Sequence, residues 1–250
     1  MVDIIICENP VHSLKLLNKL GIKKKLLSLH DYNEKKLIKR IEKYQFNSSI
    51  ALISDAGSPL ISDPGYKLVQ NYIEKNITIT SIPGPSSVIA ALQISGLHSQ
   101  NFVFYGFLPK NISGVSLLIK KIEKQEYTSV LFVSGLRLIN FVQKLIDNDI
   151  NRKIAICKEI TKKNEMVFRG LPENIIKNFS EGSQKTKGEF VIIIQGEEKK
   201  RPKSVEPSIE NQIKKLLENF SLTDVVEIVH KLTKISKKEI YKTALLIKND

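Results

Sequence analysis

Two loops rich in proline and glycine carry the residues of this 250-residue chain that are best suited to hold a small ligand. The first loop spans Ser54–Gly65 and the second loop spans Ile82–Ser87, and each follows a short apolar segment. Glycine permits positive φ and proline fixes φ, so both loops are expected to have a defined shape. Asp55 and Asp63 add carboxylates that could hold ribose hydroxyls or an ammonium group. On residue types alone, two ordinary turns whose aspartates cap helices are the favoured interpretation.

The second loop is expected to lead into the N-terminus of a helix. A helical pattern follows over Val88–Ile94, so Pro85 or Ser86 would begin the helix, and its free N–H groups could hold a carboxylate. In open α/β sheets ligands bind beyond the carboxyl ends of strands, which is where both loops are predicted to lie. The sequence has neither G-x-G-x-x-G nor G-x-x-x-x-G-K-[ST], which argues against a NAD-type Rossmann site and a P-loop. The two loops therefore predict one pocket.

Short apolar runs that alternate with helical patterns predict an α/β fold with two lobes. Residues 1–107 are assigned to an N-terminal lobe with a parallel sheet covered on both faces. Its predicted strands are Ile4–Cys7, Leu26–Leu29, Ile50–Ser54, Ile77–Ile82 and, as the last of the unit, Phe102–Gly106.

A second α/β lobe is predicted for residues 108–196. Two of its strands, Lys153–Ile156 and Met166–Arg169, leave no room for a helix between them, so this sheet is expected to be mixed. Residues 197–207 are charged, contain two prolines and are interpreted as a linker.

Residues 208–250 are predicted to form a small helical tail. Three short amphipathic patterns follow one another there, and Ser221 and Ser236 precede the second and third as plausible N-caps.

The net charge of +13 is large enough to attract a polyanionic partner. Phosphate contacts with counterion release would give such a chain affinity for nucleic acid. Only five of the 39 basic residues are arginines, and a general bias toward lysine, isoleucine and asparagine explains the charge equally well. No apolar run approaches the roughly 18–20 residues that span a bilayer, and a soluble, cytoplasmic protein is expected.

Neither a metal site nor a disulfide is expected. Cys7 and Cys157 lie in apolar runs, where cysteine acts as a small buried hydrophobe. The four histidines, at positions 12, 30, 98 and 230, are not at metal-ligand spacing from one another or from a cysteine.

Several ordered stretches resemble the tetrapyrrole-methylase-like (class III) S-adenosylmethionine-dependent methyltransferases, and among them the branch that acts on small-subunit ribosomal RNA. The strongest lie in the two loops and at Gly106–Pro109, and weaker ones include His30 and Lys158–Lys162. Together they cover nearly the whole chain. The resemblance implies a homodimer that binds S-adenosylmethionine between its lobes and methylates the ribose 2′-oxygen of a cytidine in 16S rRNA. It assigns the cofactor to Asp55, Ala56, Gly57, Ser58, Pro59, Ile61, Gly84, Pro85, Ser86 and Ser87.

The reaction that the resemblance implies needs a group that takes a proton from a ribose hydroxyl. The sulfonium cofactor already carries an activated methyl group, so the protein must align the reactants and help to remove that proton. Asp55, Glu159 and His30 are candidates. Each has an alternative role: Asp55 could bind cofactor, Glu159 could pair with a lysine, and His30 could be a satisfied residue at a strand end.

The sequence departs from the family pattern in several places. The family has a strand and a Thr/Ser-Pro-Ile-Gly-Asn loop ahead of the segment that matches Val2–Glu8, so we expect either a misassigned start site or a truncated pocket. Asn9-Pro10-Val11 replaces Asp-Thr-Arg, Val133–Arg137 replaces Glu-Ser-Pro-His-Arg, and Asn164 replaces His.

Two further functions remain open alongside the RNA methyltransferase. A methyltransferase of tetrapyrrole precursors would share the fold but take a small anionic ring. A truncated, catalytically impaired relative would bind RNA or the ribosome without turnover. The Gly106–Pro109 segment and the C-terminal helices favour the RNA branch.

Overall fold

The first sheet consists of three parallel strands. The computed structural model describes residues 2–30, 32–42, 48–181, 187–197 and 207–249. Strands β1 (Ile4–Cys7), β2 (Lys25–Ser28) and β3 (Ile50–Ile53) pair in the order β2-β1-β3. All four residues of the central β1 are buried, which explains why its sequence is a continuous apolar run.

Three helices accompany this sheet: α1 (Pro10–Lys19), α2 (Glu34–Ile41) and α3 (Tyr66–Glu74). The Asn9 side chain caps α1 by accepting hydrogen bonds from the N–H groups of Val11 and His12. The apolar faces of α2 and α3 close a core with the sheet, made by Ile4, Ile6, Leu27, Leu29, Leu37, Ile41 and Leu68.

The second sheet has five strands of mixed direction, as the sequence predicts. It is formed by β4 (Phe102–Phe107), β5 (Thr128–Ser134), β6 (Ile154–Lys158), β7 (Met166–Gly170) and β8 (Glu189–Ile194). Their order is β4-β5-β8-β6-β7, with β4 parallel to β5 and the other pairs antiparallel.

The prediction that Phe102–Gly106 completes the first sheet is wrong. These residues form β4, the edge strand of the second sheet, because Phe104 pairs in register with Val130 and its ring lies 5.0 Å from that of Phe132. Helix α4 (Ser87–Ser95) also packs on the second sheet, where its buried face meets a cluster from β5, β6 and β8. Within the lobe expected at residues 1–107, the last strand therefore belongs to the second sheet, and the last helix packs on that sheet.

The prediction of a strand at Ile77–Ile82 is also wrong. Its alternating isoleucines suit a pleated strand, yet these described residues join neither sheet. Ile79 and Ile82 are exposed, so the alternation does not bury one face. A period of two predicts a strand only where a neighbouring backbone supplies the ladder of hydrogen bonds.

Helices α5 (Ile112–Glu123), α6 (Gly135–Asp147) and α7 (Pro172–Glu181) complete the core of the second sheet. Their buried side chains include Ile119, Ile122, Leu138, Phe141, Val142, Leu145 and Ile175, which pack with Leu131, Ile156, Phe190 and Ile192 of the strands.

Residues 198–250 separate as a second unit. Its helices are α8 (Pro207–Leu217), α9 (Leu222–Thr233) and α10 (Lys237–Asn249). The Ser221 hydroxyl accepts a hydrogen bond from the Asp224 N–H, and the Ser236 hydroxyl accepts one from the Glu239 N–H, as the predicted caps require. A linker is predicted at residues 197–207, and positions 198–206 of it lie outside the described residues. No helix in the described ranges is both long and apolar enough to cross a membrane.

Candidate cofactor and substrate site

Asp55 lies where the carboxyl ends of β1 and β3 meet. One of its carboxylate oxygens accepts a hydrogen bond from the Asn9 N–H at 3.3 Å and lies 3.6 Å from His12 Nδ1. The parallel pairing of β1 and β3 causes this approach, since Cys7 and Ile53 are partners and the residues that follow them leave the sheet together. The Asp55 side chain keeps 27% of its surface exposed, so it can still contact a ligand.

The first loop is shaped by four residues in the left-handed region. Gly57 and Gly65 have φ of +74° and +131°, as the sequence predicts, and Leu60 and Ser62 have φ of +70° and +67°. At Gly65 a Cβ atom would lie 2.9 Å from a methyl group of Leu52, so a side chain would collide with the sheet. The strained Leu60 and Ser62 have no signal in the sequence, because their residue types seldom adopt positive φ.

The two loops contact each other, as expected for one pocket. The Ser58 hydroxyl donates to the Pro85 carbonyl at 3.4 Å. Helix α4 begins immediately after, with Ser86 at its N-cap, and none of the described side chains caps it or places an acid in its first turn. Its first N–H groups are therefore available to an anionic group. A Cβ atom on Gly84 would meet only the Ile82 carbonyl, at 4.0 Å, so this backbone is open to a ligand.

Asp63, the second carboxylate of the first loop, is half-buried. Burial raises its pKa above 3.8, the Ser54 hydroxyl lowers it, and the nearby charge of Asp55 raises it again. Asp63 and Ser54 lie with Glu8 and Pro59 around a narrow crevice at the ends of the strands, with no room for a water molecule. The proton of Asp63 is thus held more tightly than in water.

Glu159, a candidate base, is held by two partners. Its carboxylate accepts the Glu189 N–H at 2.9 Å and the Lys162 ammonium at 3.0 Å, and these bonds lower its pKa in that order. Gly188, with φ of +127°, permits this approach, because a Cβ there would lie 2.9 Å from the carboxylate. The lysine pairing that the sequence left open is present, and a carboxylate with a lowered pKa is a weaker base.

His30, the third candidate, lies after β2. Its backbone N–H donates to the Asn33 side chain at 2.9 Å, and its exposed ring lies 6.2 Å from the ring of Tyr32. Among the described residues, no hydrogen bond or ion pair joins Asp55 to Glu159 or to His30. Asp55, by contrast, lines an open cavity.

Arg137 fixes the Gly106–Pro109 segment, a role that the sequence alone did not reveal. Its guanidinium donates to the Leu108 carbonyl at 2.8 Å and to the Pro109 carbonyl. Gly106 has φ of +72°, and a Cβ there would lie 3.3 Å from the Ser62 hydroxyl. The first loop and the C-terminal end of β4 are therefore in close contact.

A larger cavity of about 310 Å³ lies beside Asp55. One wall is formed by Ile53, Ser54 and Asp55. The opposite wall is one side of α1, made by His12, Ser13, Lys15, Leu16 and Lys19. The volume is at the lower end of the range of ligand pockets. Sequence reasoning missed these residues, although the spacing of positions 12, 15 and 19 is typical of one helix face.

The chain resembles proteins of one family over most of its length. Residues 1–175 match the family model of tetrapyrrole (corrin/porphyrin) methylases. A ribosomal RNA small subunit methyltransferase I from Buchnera aphidicola subsp. Schizaphis graminum is 36% identical over 98% of this chain and 87% of the relative. Proteins of the same name from Thermotoga maritima and Escherichia coli O157:H7 are 36% and 31% identical, covering 79% and 98% of this chain and 88% and 86% of theirs.

The fold is also that of a solved structure. A diphthine synthase superposes with a TM-score of 0.57 at 15% sequence identity, covering 78% of this chain and 79% of that one. At this identity the likeness concerns the fold alone. Within the described residues, no group of three or more histidine, cysteine or acidic side chains could hold a metal ion.

Proposed function

The chain belongs to the tetrapyrrole (corrin/porphyrin) methylase family, and from this premise we propose that it is an S-adenosylmethionine-dependent methyltransferase that modifies the ribose 2′-oxygen of a cytidine in 16S rRNA. The observation that carries the proposal is near-complete alignment with relatives named ribosomal RNA small subunit methyltransferase I, at 31–36% identity over 98% of the chain.

The two contacting loops are the proposed cofactor site. Asp55–Pro59 with Ile61 form one side and Gly84–Ser87 the other, and the hydrogen bond between Ser58 and Pro85 supports a common pocket. The features of the site suit the cofactor: open backbone at Gly57 and Gly84, a carboxylate at Asp55, and the uncapped N-terminus of α4. The helix N-terminus would hold the methionine carboxylate, and Asp55 would hold the ammonium group or the ribose hydroxyls.

The chain's own residues have a limited chemical task. When bound, the sulfonium cofactor supplies the activated methyl group. The protein orients the ribose oxygen toward it and helps to remove the hydroxyl proton. Asp55 lines an open cavity, whereas the bonds to Glu189 and Lys162 tie Glu159 into a structural role.

The proposed partners follow from the same relatives. The substrate is 16S rRNA or the small ribosomal subunit, which fits the net charge of +13. We propose a homodimer in the cytoplasm, since the sequence resemblance implies this assembly.

Methyl transfer to small ribosomal subunits tests the function. Subunits from a strain that lacks the gene are incubated with the full chain and S-adenosylmethionine labelled in its methyl group, and 2′-O-methylation of the 16S rRNA is mapped. We expect one modified cytidine. Subunits from the parent strain, whose site is already methylated, serve as the control and should accept little label.

Calorimetry with S-adenosylmethionine separates the alternatives. Cofactor binding without any methylated RNA, together with label on a tetrapyrrole precursor, would favour the small-ring substrate. Absence of cofactor binding at millimolar concentration would rule out both methyltransferases and favour an impaired relative that only binds RNA.

A further inference from the structure

Helix α1 carries a row of basic side chains along the cavity beside Asp55. His12, Lys15 and Lys19 are separated by three and four residues, a spacing that places them on one face of the helix. All three line the cavity of about 310 Å³, whose other wall includes Asp55. We call these three residues the cationic stripe.

The Lys15 and Lys19 ammonium groups of the stripe are not neutralised locally. Lys75, Lys162 and Lys237 each pair with a glutamate at 2.8–3.0 Å. In the parts of the chain that the structure describes, no carboxylate lies within 4.0 Å of the Lys15 or Lys19 ammonium group. The sequence from residue 9 to residue 30 contains five lysines and no acidic residue. The two lysines of the stripe therefore present unpaired positive charge at the cavity.

The length and direction of the stripe favour a chain of anionic groups. His12 lies 3.6 Å from Asp55 at the start of α1, and Lys19 lies in its last turn. Seven residues of α-helix rise by about 10 Å, so the positive charge extends well away from Asp55. A single cofactor carboxylate needs only one such group, whereas a polynucleotide offers phosphates in a row, and lysines bind them without regard to base sequence.

We propose that the cationic stripe binds the phosphate backbone of the substrate RNA and leads it to the cavity beside Asp55. The proposal rests on the proposed function, which supplies RNA as the substrate. It adds the surface by which the RNA approaches, which belongs to α1 and faces Asp55 of the first loop across the cavity. Lys15 and Lys19 act by holding phosphate, with no part in the transfer of the methyl group.

The test replaces both lysines by neutral residues of similar length. The full chain carrying Lys15→Gln and Lys19→Gln is compared with the wild type for affinity to unmethylated small ribosomal subunits between 50 and 200 mM salt. We expect a roughly tenfold loss of affinity at low salt, and a decrease of about 1.4 to 1.8 in the slope of log affinity against log salt for two lost phosphate contacts. The affinity for S-adenosylmethionine, measured by calorimetry, should stay within twofold.

A matched control keeps the net charge change equal. Lys120 and Lys124 are exposed, lie four residues apart at the end of α5, and are replaced by Gln in the same way. An equal loss in this control would mean that overall charge decides the affinity, which overturns the proposal. Unchanged subunit binding by the stripe variant, or a weaker affinity for S-adenosylmethionine, would overturn it as well.

The proposed function and the RNA-binding role of the stripe would fail in different experiments. If the wild type neither binds nor methylates small subunits, the proposed function is wrong and the RNA-binding role of the stripe is lost with it. If the wild type methylates the subunits and the stripe variant does so with unchanged KM, the function is right and the stripe proposal alone is wrong.

Discussion

Asp55 and Asp63 belong to the same loop but have different surroundings. Asp55 is partly exposed beside a cavity and accepts the Asn9 N–H, whereas burial raises the pKa of Asp63. The first arrangement suits a ligand contact, and the second suits a residue that holds the loop in shape. Substitution by asparagine, which keeps the size and removes the charge, distinguishes the two roles.

Asp55→Asn should weaken cofactor binding with little effect on folding. The amide oxygen can still accept the Asn9 N–H, but the charge offered to an ammonium group or a ribose is lost. Hydrogen bonds to charged groups contribute about 1.5–3 kcal/mol, so calorimetry should show a roughly tenfold or greater loss of S-adenosylmethionine affinity. Asp147→Asn, at an exposed position of α6, is the control. A variant with normal affinity and a reduced kcat would instead make Asp55 the proton acceptor.

Asp63→Asn should raise the free energy of unfolding above that of the wild type by more at neutral pH than in acid. Because burial raises the folded-state pKa above 3.8, the contribution of Asp63 to stability is fully present below pH 3.8 and is lost as the pH rises through the folded pKa. Asparagine has no such dependence. The gain in unfolding free energy of the variant over the wild type should therefore be larger at pH 7 than at pH 4. Denaturant unfolding across this range measures it, and a gain that shrinks toward pH 7 would contradict the assignment.

Helix α4 links the proposed cofactor site to the second sheet. Its N-terminus follows the second loop, and its C-terminal carbonyls, at Ser95 and Ile94, accept hydrogen bonds from the Arg169 guanidinium on β7. A cation at a helix C-terminus also interacts favourably with the helix dipole. Arg169 is therefore a positioning residue that fixes α4, and through it the second loop.

Arg169→Ala should raise the KM for S-adenosylmethionine several-fold and lower the free energy of unfolding by about 1–3 kcal/mol. Arg152→Ala is a matched control, because Arg152 likewise donates to carbonyls at the end of α5, including those of Ile122 and Gln125. The control should lose similar stability and keep its KM. Equal changes of KM in both variants would show that general destabilisation is the cause. Arg169→Lys should recover part of the affinity.

At the level of elements, the sequence predicted most strands and helices but not how they are shared between the sheets. Ile4–Cys7 was identifiable because a buried parallel strand is a continuous apolar run, and the half-buried Ile50–Ile53 has the same signature. Phe102–Phe107 has the same signature in either sheet, and only its packing on β5 decides which sheet it joins. Ile77–Ile82 alternates like a strand but lacks a partner strand in the described structure.

The candidate site could be predicted only in part for a similar reason. The shape of the first loop follows from Gly57 and Gly65, which the sequence displays. The contact between Ser58 and Pro85, and the anchoring of Leu108 by Arg137, join residues more than 25 positions apart. Such contacts depend on the tertiary arrangement and have no local pattern.

At the scale of the whole molecule, the chain has two units with separate cores. The first, Met1–Glu197, contains both sheets and the proposed site. The second contains α8, α9 and α10, whose buried side chains pack on one another: Ile213, Val225, Val226, Val229, Ile235, Ile240 and Ala244. A unit of this size buries a smaller share of its surface than the first, so it should be the less stable of the two.

A chain that ends at Glu197 should fold and keep its cofactor affinity. Each unit has its own apolar core, and none of the residues that make the cores of the two sheets belongs to residues 198–250. In calorimetry the full chain should unfold in two transitions, and the shortened chain should retain the upper one within a few degrees. Its affinity for S-adenosylmethionine should stay within twofold of the full chain. If the shortened chain aggregates, or if the full chain unfolds in one transition that truncation shifts downward, the helical unit would be required for the stability of the two sheets.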